Sequence, residues 1–294
     1  MSLYLTGSSG FVGVNVLRYF KNAFLIKKYK RGEKIVINQD IVIHLAARSV
    51  DSKKTKNSQK YYDVNTNFTK KVFDAFLKSN AHTFIMFSSV KAVANKSKVK
   101  LTESSKPNPT SDYGKSKLLA EQYINSKKNQ HQKRVYILRP CLIHGPGNKG
   151  NLNLLFKLVS NGIPWPLGSF NNRRSFCSIE NLLFVVKELI SRDDIPSDTY
   201  NISDDEAIST NNVILLIAKS LNKKPRILKL PKRLITFFFK IGDKLSISFN
   251  LDYLSKLTDS YVICNKKINN VIGKRFPIST KEGLLNTFIY FKKC

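Results

Sequence analysis

Two tyrosine–lysine pairs lie in the segment SDYGKSKLLAEQYINSK, residues 111–127. Tyr113 precedes Lys117 by four residues, and Tyr123 precedes Lys127 by the same spacing. Residues four apart share one face of a helix, so each pair could act at a single point. A phenol with a pKa of about 10 is a poor base at neutral pH, but a neighbouring ammonium favours the phenolate. Such a couple can exchange a proton with an alcohol while a hydride leaves or enters its carbon.

The surroundings of the two pairs distinguish them. Tyr113 lies at the predicted start of a helix, directly after PNPTSD, whereas Tyr123 lies in the middle of the same helix, where packing is the expected role. The sequence FSS closes a buried apolar run 24 residues before Tyr113. The hydroxyl of Ser89 could hold a substrate oxygen there, with Ser88 as the alternative if the register differs by one. Capping of the following turn is the structural explanation of the same serine.

Three glycines near the N-terminus indicate a phosphate-binding turn. In TGSSGFVG, Gly7, Gly10 and Gly13 stand between an apolar run at 3–6 and apolar residues at helical spacing from 11 to 20. Glycines permit a tight turn, close approach of a pyrophosphate to backbone N–H groups, and close packing of helix on sheet. In this strand–turn–helix context the pattern predicts a bound dinucleotide.

The second strand is expected to end in cations. Counting 20 residues from Gly7, where a ribose-binding carboxylate would stand, gives Lys27, which opens the cluster KKYKR. Glu33 falls beyond this cluster. A cationic strand end suits a 2′-phosphate and therefore favours NADP over NAD, unless these are only surface cations.

A third buried run ends in HLAA, residues 44–47. Its small residues Ala46 and Ala47 would let a cofactor lie flat against the strand end, although core packing could explain them too. We interpret His44 as a packed, hydrogen-bonded histidine rather than a base.

Strands and helices alternate along the chain, which predicts an α/β fold with a Rossmann-type doubly wound parallel sheet and a smaller C-terminal substrate-binding lobe. The expected strands are 3–6, 23–26, 40–47, 83–89 and 135–140, and the expected helices are 11–20, 63–80 and 113–127. We predict a dinucleotide-binding domain at 1–150 and a mainly substrate-binding lobe at 151–294. Residues from about 172 to 202 read as a strand and a long helix that return to the first domain.

Composition excludes several classes of protein. The chain has 294 residues, of which 42% are hydrophobic, so it can form a substantial core. Its four cysteines and four histidines are scattered, and we expect no metal site. The net charge of +30 is spread along the chain without a nucleic-acid-binding motif, so we expect no specific nucleic acid partner. With neither a leader nor a transmembrane run, a cytoplasmic protein is expected.

Several motifs in a fixed order resemble the extended short-chain dehydrogenase/reductase family, the NAD-dependent epimerase/dehydratase group that modifies nucleotide sugars. They are TGSSGFVG, HLAA, VN (64–65), FSSVKA, YGKSK, LRP…GPG (138–147), RSF (174–176) and YNI (200–202). The resemblance extends from Met1 to at least Asn201. It implies a homodimer formed through the helices at 63–80 and 113–127.

The resemblance also implies residue roles. Tyr113 would be the acid/base, Lys117 its partner and Ser89 the anchor of the substrate hydroxyl, while Arg174 would meet a substrate phosphate. The expected cofactor contacts are Gly7, Ser9, Gly10, Phe11, Val12, Gly13, Lys27, Leu45, Ala46, Ala47, Tyr113, Lys117 and Pro140.

Two departures from the family pattern bear on the reaction. The segment between the glycine turn and HLAA is short and lacks the pair of an aspartate and a hydrophobic residue that normally touches adenine. Leu142 replaces the asparagine that is frequent in RPxNxxGPG and is more familiar among ketoreductases. Together with the cationic strand end, it favours an NADP-dependent 4-ketoreductase acting on a UDP-4-keto-hexose for surface polysaccharides. A UDP-hexose 4-epimerase that keeps NAD is the alternative, and a non-catalytic cofactor-binding regulator is a remote one.

The C-terminal region, residues 222–294, has no motif that we can assign. Its segment KRLITFFFKIGDKL, residues 232–245, could be a core helix or a membrane-surface helix. We favour a core helix.

Overall fold

A computed structural model describes residues 1–49, 58–128, 132–148, 150–244 and 250–293. The strands are β1 (Ser2–Thr6), β2 (Leu25–Lys28), β3 (Ile41–His44), β4 (Thr83–Phe87), β5 (Arg134–Pro140), β6 (Leu142–His144), β7 (Phe176–Ser178) and β8 (Thr199–Ile202). Six of them form one parallel sheet in the order β2-β1-β3-β4-β5-β8, and β6 pairs with β7 in a small parallel sheet. The predicted Rossmann-type parallel sheet is confirmed.

Helices connect the strands and cover both faces of the sheet. They are α1 (Phe11–Phe20), α2 (Gln59–Tyr61), α3 (Phe68–Lys78), α4 (Asp112–Lys127), α5 (Asn151–Ser160), α6 (Ile179–Ser191), α7 (Thr210–Ser220), α8 (Lys232–Lys244), α9 (Leu251–Thr258), α10 (Lys266–Ile272) and α11 (Thr280–Lys293). A π-helical segment, Tyr62–Asn67, joins α2 to α3, and a short 3-10 helix, Val90–Ala92, follows β4.

The sheet separates two hydrophobic clusters because side chains alternate between faces along a strand. Leu3 and Leu5 pack with α1, α6 and α10 on one face. Tyr4 packs with α3 and α4 on the other face. Strands β3 and β4 are buried along their whole length, as expected for parallel strands that helices cover on both sides.

A third cluster, which we call the outer cluster, lies outside the sheet. It joins Phe156 of α5, Ile217 of α7, Ile235 of α8, Leu254 of α9 and Phe288 of α11. Between these elements in sequence, α6 packs on the sheet and β8 forms its last strand. The domain boundary near residue 150 stays a prediction.

Strand order reverses between β1 and β3, because β2 lies on one side of β1 and β3 on the other. Ligands of open parallel sheets bind at such a switch point, beyond the carboxyl ends of the strands. The glycine turn after β1 and the HLAA sequence at the end of β3 both lie there. The sheet therefore brings together the segments that the sequence singled out.

The second strand begins two residues later than predicted, at Leu25 instead of Ala23. The nitrogens of Ala23 and Phe24 donate to the Phe20 carbonyl and complete the end of α1, and the Phe24 ring packs edge-on against Phe20 at 5.4 Å. These apolar residues thus belong to the helix end. Strand β2 extends instead to Lys28, since an edge strand tolerates exposed cations.

Helix α8 packs on the core along one side only, so the expectation of a core helix holds for part of its surface. Ile235 is buried and Phe239 packs against the outer cluster, but Phe237 and Phe238 are 59% and 61% exposed. One apolar stripe is enough to attach the helix, and this helix carries a second apolar stripe that faces outwards. None of the helices described here is long and apolar enough to span a membrane.

Candidate active site

The turn between β1 and α1 depends on the absence of side chains. Gly7 has φ +72°, and a Cβ there would lie 2.6 Å from the nitrogen of Ala46. A Cβ on Gly13 would lie 2.2 Å from the Gly7 oxygen. At Gly10, the N-cap of α1, a Cβ would meet only that same oxygen, at 3.5 Å. The backbone at Gly10 is thus open to a pyrophosphate, while Gly7 and Gly13 allow the turn to close.

The residues between these glycines are placed for cofactor contact to different degrees. Ser9 is exposed beside Gly10, whereas Phe11 and Val12 are half-buried and pack against the cluster beneath α1. The Phe11 ring lies 3.4 Å from the position that a Cβ on Gly145 would take. Phe11 therefore connects the glycine turn to the loop after β6.

The end of β3 closes over the same turn. The nitrogen of Leu45 donates to the Thr6 carbonyl at 3.2 Å, and the nitrogen of Ala46 donates to the Thr6 hydroxyl at 3.2 Å. Ala47 is exposed. Ala46 is half-buried, and the small size of both residues fits the expected flat ligand.

His44 is a structural histidine. It is fully buried between the hydroxyl of Thr6, 2.8 Å from Nδ1, and the hydroxyl of Thr69, 2.8 Å from Nε2. Thr69 donates its own proton to the Asn65 carbonyl, so the network assigns the imidazole proton to Nε2. Burial, assisted by the charge of Lys117, lowers the pKa of His44 to about 3. A neutral imidazole with both nitrogens hydrogen-bonded is unsuited to act as a base. This agrees with the packed, hydrogen-bonded role that the sequence predicts.

Tyr113 and Lys117 lie one turn apart in α4, and both are buried. The Lys117 ammonium is 1% exposed and donates to the Phe87 carbonyl, the last residue of β4, at 2.7 Å. Burial lowers the pKa of Lys117 from 10.5 to about 8, while Glu121 acts in the opposite direction. The Lys91 ammonium lies 5.8 Å from the centre of the Tyr113 ring. One cation thus lies near the Tyr113 ring, and a second, Lys117, is held one helical turn further along at the end of β4.

The structure distinguishes the two candidate serines. Ser88 is buried, and its hydroxyl donates to the Glu121 carboxylate in a short hydrogen bond. Ser89 caps the 3-10 helix by accepting from the Lys91 nitrogen at 3.2 Å, and its side chain is only half-buried. Ser88 is therefore committed to the protein interior, which leaves Ser89 as the hydroxyl that a substrate could reach.

Glu121 belongs to a buried ion pair that the sequence reasoning missed. Its carboxylate accepts from Arg139 Nε at 3.0 and 3.1 Å, and from Arg139 Nη2 at 2.5 Å. Glu121 follows Lys117 by one helical turn, and Arg139 precedes Pro140 in LRP. A charged pair inside otherwise apolar motifs was the signal that could have indicated it. The pair fixes α4 against β5 and thereby positions Lys117.

The start of α4 is positioned by contacts with neighbouring loops. Ser111 caps the helix by accepting from the Gly114 nitrogen at 3.1 Å, and Asn95 donates to the Ser111 hydroxyl at 2.9 Å. A Cβ on Gly114 would lie 2.4 Å from the Lys91 carbonyl. Gly114 is a second residue that the sequence reasoning did not single out, although it lies within YGKSK. Its lack of a side chain lets the helix that carries Tyr113 meet the loop that carries Ser89.

Asn65, from the VN motif, joins α4 to the loop after β3. Its side-chain oxygen Oδ1 accepts from the Arg48 backbone nitrogen at 2.8 Å, and its side-chain nitrogen Nδ2 donates to the Ser116 hydroxyl at 3.0 Å. Asn65 lies in the π-helical segment and is fully buried. The motif thus holds the HLAA loop and the helix of Tyr113 in one arrangement.

The second tyrosine–lysine pair forms a link between α3 and α4. The Tyr123 hydroxyl lies 2.7 Å from both oxygens of Asp74, and Lys127 donates to Asp74 at 3.0 Å and to the Tyr123 oxygen at 2.5 Å. Tyr123 and Lys127 lie in the C-terminal half of α4, whereas Tyr113 lies in its first turn. The Tyr123 ring also packs against the cluster of α3 and α4, which confirms the packing role predicted for it.

Pro140 and Arg174 are both expected at the site. Pro140 is the last residue of β5 and is buried against Ile202 of β8. Burial raises the pKa of the thiol of Cys141, the residue that follows Pro140, and the charge of Arg174 opposes this rise. Burial lowers the pKa of Arg174, and its Nη1 donates to the Lys256 carbonyl in a short bond. Such a half-buried cation could meet an anionic group.

The cations after the glycine turn lie at and beyond the end of β2. Lys27 pairs with Tyr4 inside the strand and is exposed, and the strand ends at Lys28. Tyr29 then donates its nitrogen to the Leu5 carbonyl at 2.9 Å and packs its ring against Phe68. The residues that directly follow the strand, where a ribose contact is expected, are therefore Tyr29, Lys30 and Arg31, and Lys27 stands before them.

Comparison with known proteins finds relatives along nearly the whole chain. The chain is 29% identical to a UDP-glucose 4-epimerase of Vibrio cholerae over 97% of its own length and 94% of that protein. It is 28% identical to an N-acetyl-alpha-D-glucosaminyl-diphospho-ditrans,octacis-undecaprenol 4-epimerase of Escherichia coli O157:H7, over 95% of this chain and 86% of that one. Among solved structures, the UDP-glucuronic acid 4-epimerase of Bacillus cereus in complex with NAD superimposes with a TM-score of 0.77. That match covers 100% of this chain and 99% of the other at 18% identity, and it shows the shared fold.

The model of one enzyme family matches residues 26–203, more than half of the chain. This range contains HLAA, Ser89, Tyr113, Lys117 and Arg174. The chain therefore belongs to the NAD dependent epimerase/dehydratase family and is an NAD(P)-dependent enzyme of the nucleotide-sugar type.

Proposed function

We propose that the protein is a UDP-hexose 4-epimerase. The observation that carries this proposal is the similarity to a UDP-glucose 4-epimerase over nearly the whole of both chains. The proposal is also supported by a tyrosine and a lysine on one turn of α4, and by a half-buried serine after β4 whose hydroxyl accepts only from the Lys91 nitrogen among the described contacts. The reductase that the sequence favoured becomes the second candidate.

The side chains divide the chemistry between them. Tyr113 takes the proton of the sugar hydroxyl at C4 and returns it after the keto sugar has turned over. Lys117 is held by the Phe87 carbonyl and contributes positive charge that favours the phenolate. Ser89 holds the substrate oxygen by hydrogen bonding, and Arg174 pairs with a phosphate of the nucleotide. Gly7, Gly10, Gly13 and the HLAA loop would hold the dinucleotide, which would supply reversible hydride acceptance from the sugar carbon.

The decisive experiment combines dinucleotide content with turnover. The purified protein is denatured and the released dinucleotide identified, and UDP-glucose and UDP-N-acetylglucosamine are incubated with the native enzyme without added cofactor. We expect released NAD, and C4 epimers that appear in the NMR spectrum of the sugar. Tyr113→Phe should lower kcat by about 10²–10⁴-fold while the dinucleotide content is retained, because the proton transfer is lost.

Tyr123→Phe is the matched control, since it alters the tyrosine of the structural pair. It removes the hydroxyl that bonds Asp74 and should cost about 1 kcal/mol of stability without a comparable loss of kcat. Equal turnover by Tyr113→Phe and the parent enzyme would contradict the proposed role of Tyr113.

A 4-ketoreductase for a UDP-4-keto-hexose is supported by one specific feature, the cations at the end of β2. Lys30 and Arg31 follow the strand where an acidic ribose contact would favour NAD. A protein that releases no dinucleotide and oxidises one NADPH for each UDP-4-keto sugar would be this reductase, and the epimerase proposal would then be wrong.

A further inference from the structure

Helix α8 presents an apolar surface that no described part of the chain covers. Ile235 and Phe239 attach the helix to the outer cluster. The exposed apolar stripe consists of residues spaced three or four apart along the helix: Leu234 (45% exposed), Phe237 (59%), Phe238 (61%) and Ile241 (38%). Two large aromatic side chains more than half exposed on one helix mark an interaction surface.

The segment before the helix adds to this surface. Leu228 and Leu230 are 45% and 37% exposed, and the backbone of this segment is fixed to the loop containing Trp165 and Gly168. The Leu228 carbonyl accepts from the Gly168 nitrogen at 3.0 Å, and the Trp165 nitrogen donates to the Arg226 carbonyl at 2.7 Å. The apolar surface is therefore held in place by the body of the protein.

Cations surround the exposed stripe. Residues 223–243 contain seven lysines and arginines but one acidic residue, Asp243. On the helix, Arg233 and Lys240 are seven residues apart and lie along one flank of the stripe, next to Phe237. Within the described residues, Arg226, Lys229, Arg233 and Lys240 form no ion pair.

The exposed apolar stripe and the cations beside it favour one kind of binding partner over another. A second copy of this chain carries the same cations and the same net charge of +30, so the face would repel itself. An anionic lipid surface complements both parts of the patch, because the apolar side chains enter the boundary between headgroups and acyl chains while the cations remain at the phosphates. We propose that the enzyme binds anionic membranes through α8, with Leu234, Phe237, Phe238 and Ile241 inserted and the cations of residues 226–240 at the lipid headgroups.

The proposal is independent of which C4 reaction the enzyme catalyses. It predicts a peripheral, reversible association that places the outer cluster against the lipid surface. Both parts of the patch contribute, so binding needs the aromatic residues and is weakened by salt, which screens the headgroup attraction over about 10 Å at 0.1 M.

The test is flotation of the full-length protein with vesicles in a density gradient. Vesicles of phosphatidylcholine with one third phosphatidylglycerol are compared with pure phosphatidylcholine, at low salt and at about 0.5 M salt. We expect the protein to float with the anionic vesicles at low salt and to remain at the bottom in the other conditions. Phe237→Ser/Phe238→Ser should lower the partition coefficient by at least about tenfold, because apolar insertion is lost.

Two controls separate this patch from the general charge of the protein. Lys229→Gln/Arg233→Gln/Lys240→Gln should weaken flotation by about tenfold or more, whereas Lys71→Gln/Lys78→Gln/Lys187→Gln removes as many exposed charges elsewhere and should leave it nearly unchanged. Tyr19→Ser, which alters an aromatic residue 46% exposed on α1, is the control for the phenylalanines. Circular dichroism and dinucleotide content report on folding of each variant.

Three results would overturn the proposal. The parent protein could fail to float with anionic vesicles, or the α8 variants could float as well as it does. The double serine variant could also change the oligomeric state in analytical ultracentrifugation, which would assign the face to a contact between copies.

Discussion

Burying the charge of Lys117 costs folding free energy. The Lys117 side chain is 1% exposed and has one carbonyl, that of Phe87, within hydrogen-bonding distance. Glu121 contributes an opposing charge, but its carboxylate already bonds Ser88 and Arg139. The lowered pKa of Lys117 expresses this cost, and it gives the residue a thermodynamic signature that the second pair lacks.

Lys117→Met should change how stability depends on pH. The folded pKa of Lys117, about 8, lies below its ordinary value of 10.5, so between these pH values the unfolded chain binds more protons. The unfolding free energy of the parent therefore rises with pH across that window, and the cost of the buried charge is fully present only below it. Relative to Lys117→Met, the cofactor-free parent should gain on the order of 3 kcal/mol between pH 7 and 10.5 in urea unfolding.

Lys127→Met provides the control from the second pair. Hydrogen bonds to Tyr123 and Asp74 raise the pKa of Lys127 above 10.5, so its contribution is fully present below that pH and is lost only as the pH rises further. The difference between Lys127→Met and the parent should stay flat from pH 7 to 10.5. Parallel curves for the Lys117→Met variant and the parent would show that Lys117 is not a buried ammonium.

For single residues, the sequence predicted their roles better than it predicted which side chains they contact. The packed roles of His44 and Tyr123 are confirmed by their contacts. The choice between Ser88 and Ser89 required the fold, because only the position of Glu121 in α4 shows which hydroxyl is engaged. Contacts with residues distant in sequence decide which hydroxyl is engaged, and the local spacing of residues carries no information about those contacts.

At the scale of elements, the site depends on how closely α4 approaches the loop after β4. Ser111 caps α4 and Gly114 lies in its first turn, directly after Tyr113. A Cβ on Gly114 would meet the Lys91 carbonyl at 2.4 Å and the Pro109 Cβ at 2.8 Å. Both contacts are too short, and backbone atoms cannot rotate away as a flexible side chain could.

Gly114→Ala should therefore push the start of α4 away from Ser89. We expect a loss of about 1–3 kcal/mol in thermal unfolding and a larger relative loss of kcat, because Tyr113 and Ser89 no longer meet one substrate oxygen. Lys115→Ala is the matched control, since Lys115 is exposed in the same turn, and it should leave both quantities nearly unchanged. Full activity of Gly114→Ala would show that the close approach is not required.

Strand and helix identities followed from apolar patterns, but two features of the elements did not. The shift of β2 arises because Phe24 completes the end of α1, a contact that an apolar run cannot distinguish from a strand. The π-helical segment around Asn65 adds a residue to one turn of the helix, and side-chain periodicity does not reveal it. Each feature is fixed by packing between elements.

At the scale of the whole molecule, one segment between α9 and α10 connects the outer cluster to the sheet. Tyr261 pairs through its backbone with Arg173 and Ser175, which flank Arg174, and its hydroxyl donates to the Ala94 carbonyl at 2.6 Å. Ala94 follows the 3-10 helix that Ser89 caps. The expected phosphate contact and the expected hydroxyl anchor are thus joined through one tyrosine.

Tyr261→Phe should loosen this connection while the ring remains in place. Loss of the hydrogen bond leaves the Ala94 carbonyl without its donor and should cost about 1 kcal/mol of stability. Arg174 and Ser89 would bind opposite parts of the nucleotide sugar. The KM of the variant for that substrate should therefore rise several-fold, while its dinucleotide content stays the same. Steady-state kinetics with UDP-glucose, beside dinucleotide release, measures both. Tyr19→Phe, at an exposed position on α1, controls for loss of a hydroxyl. An unchanged KM would mean that the two parts of the site bind the substrate without this connection.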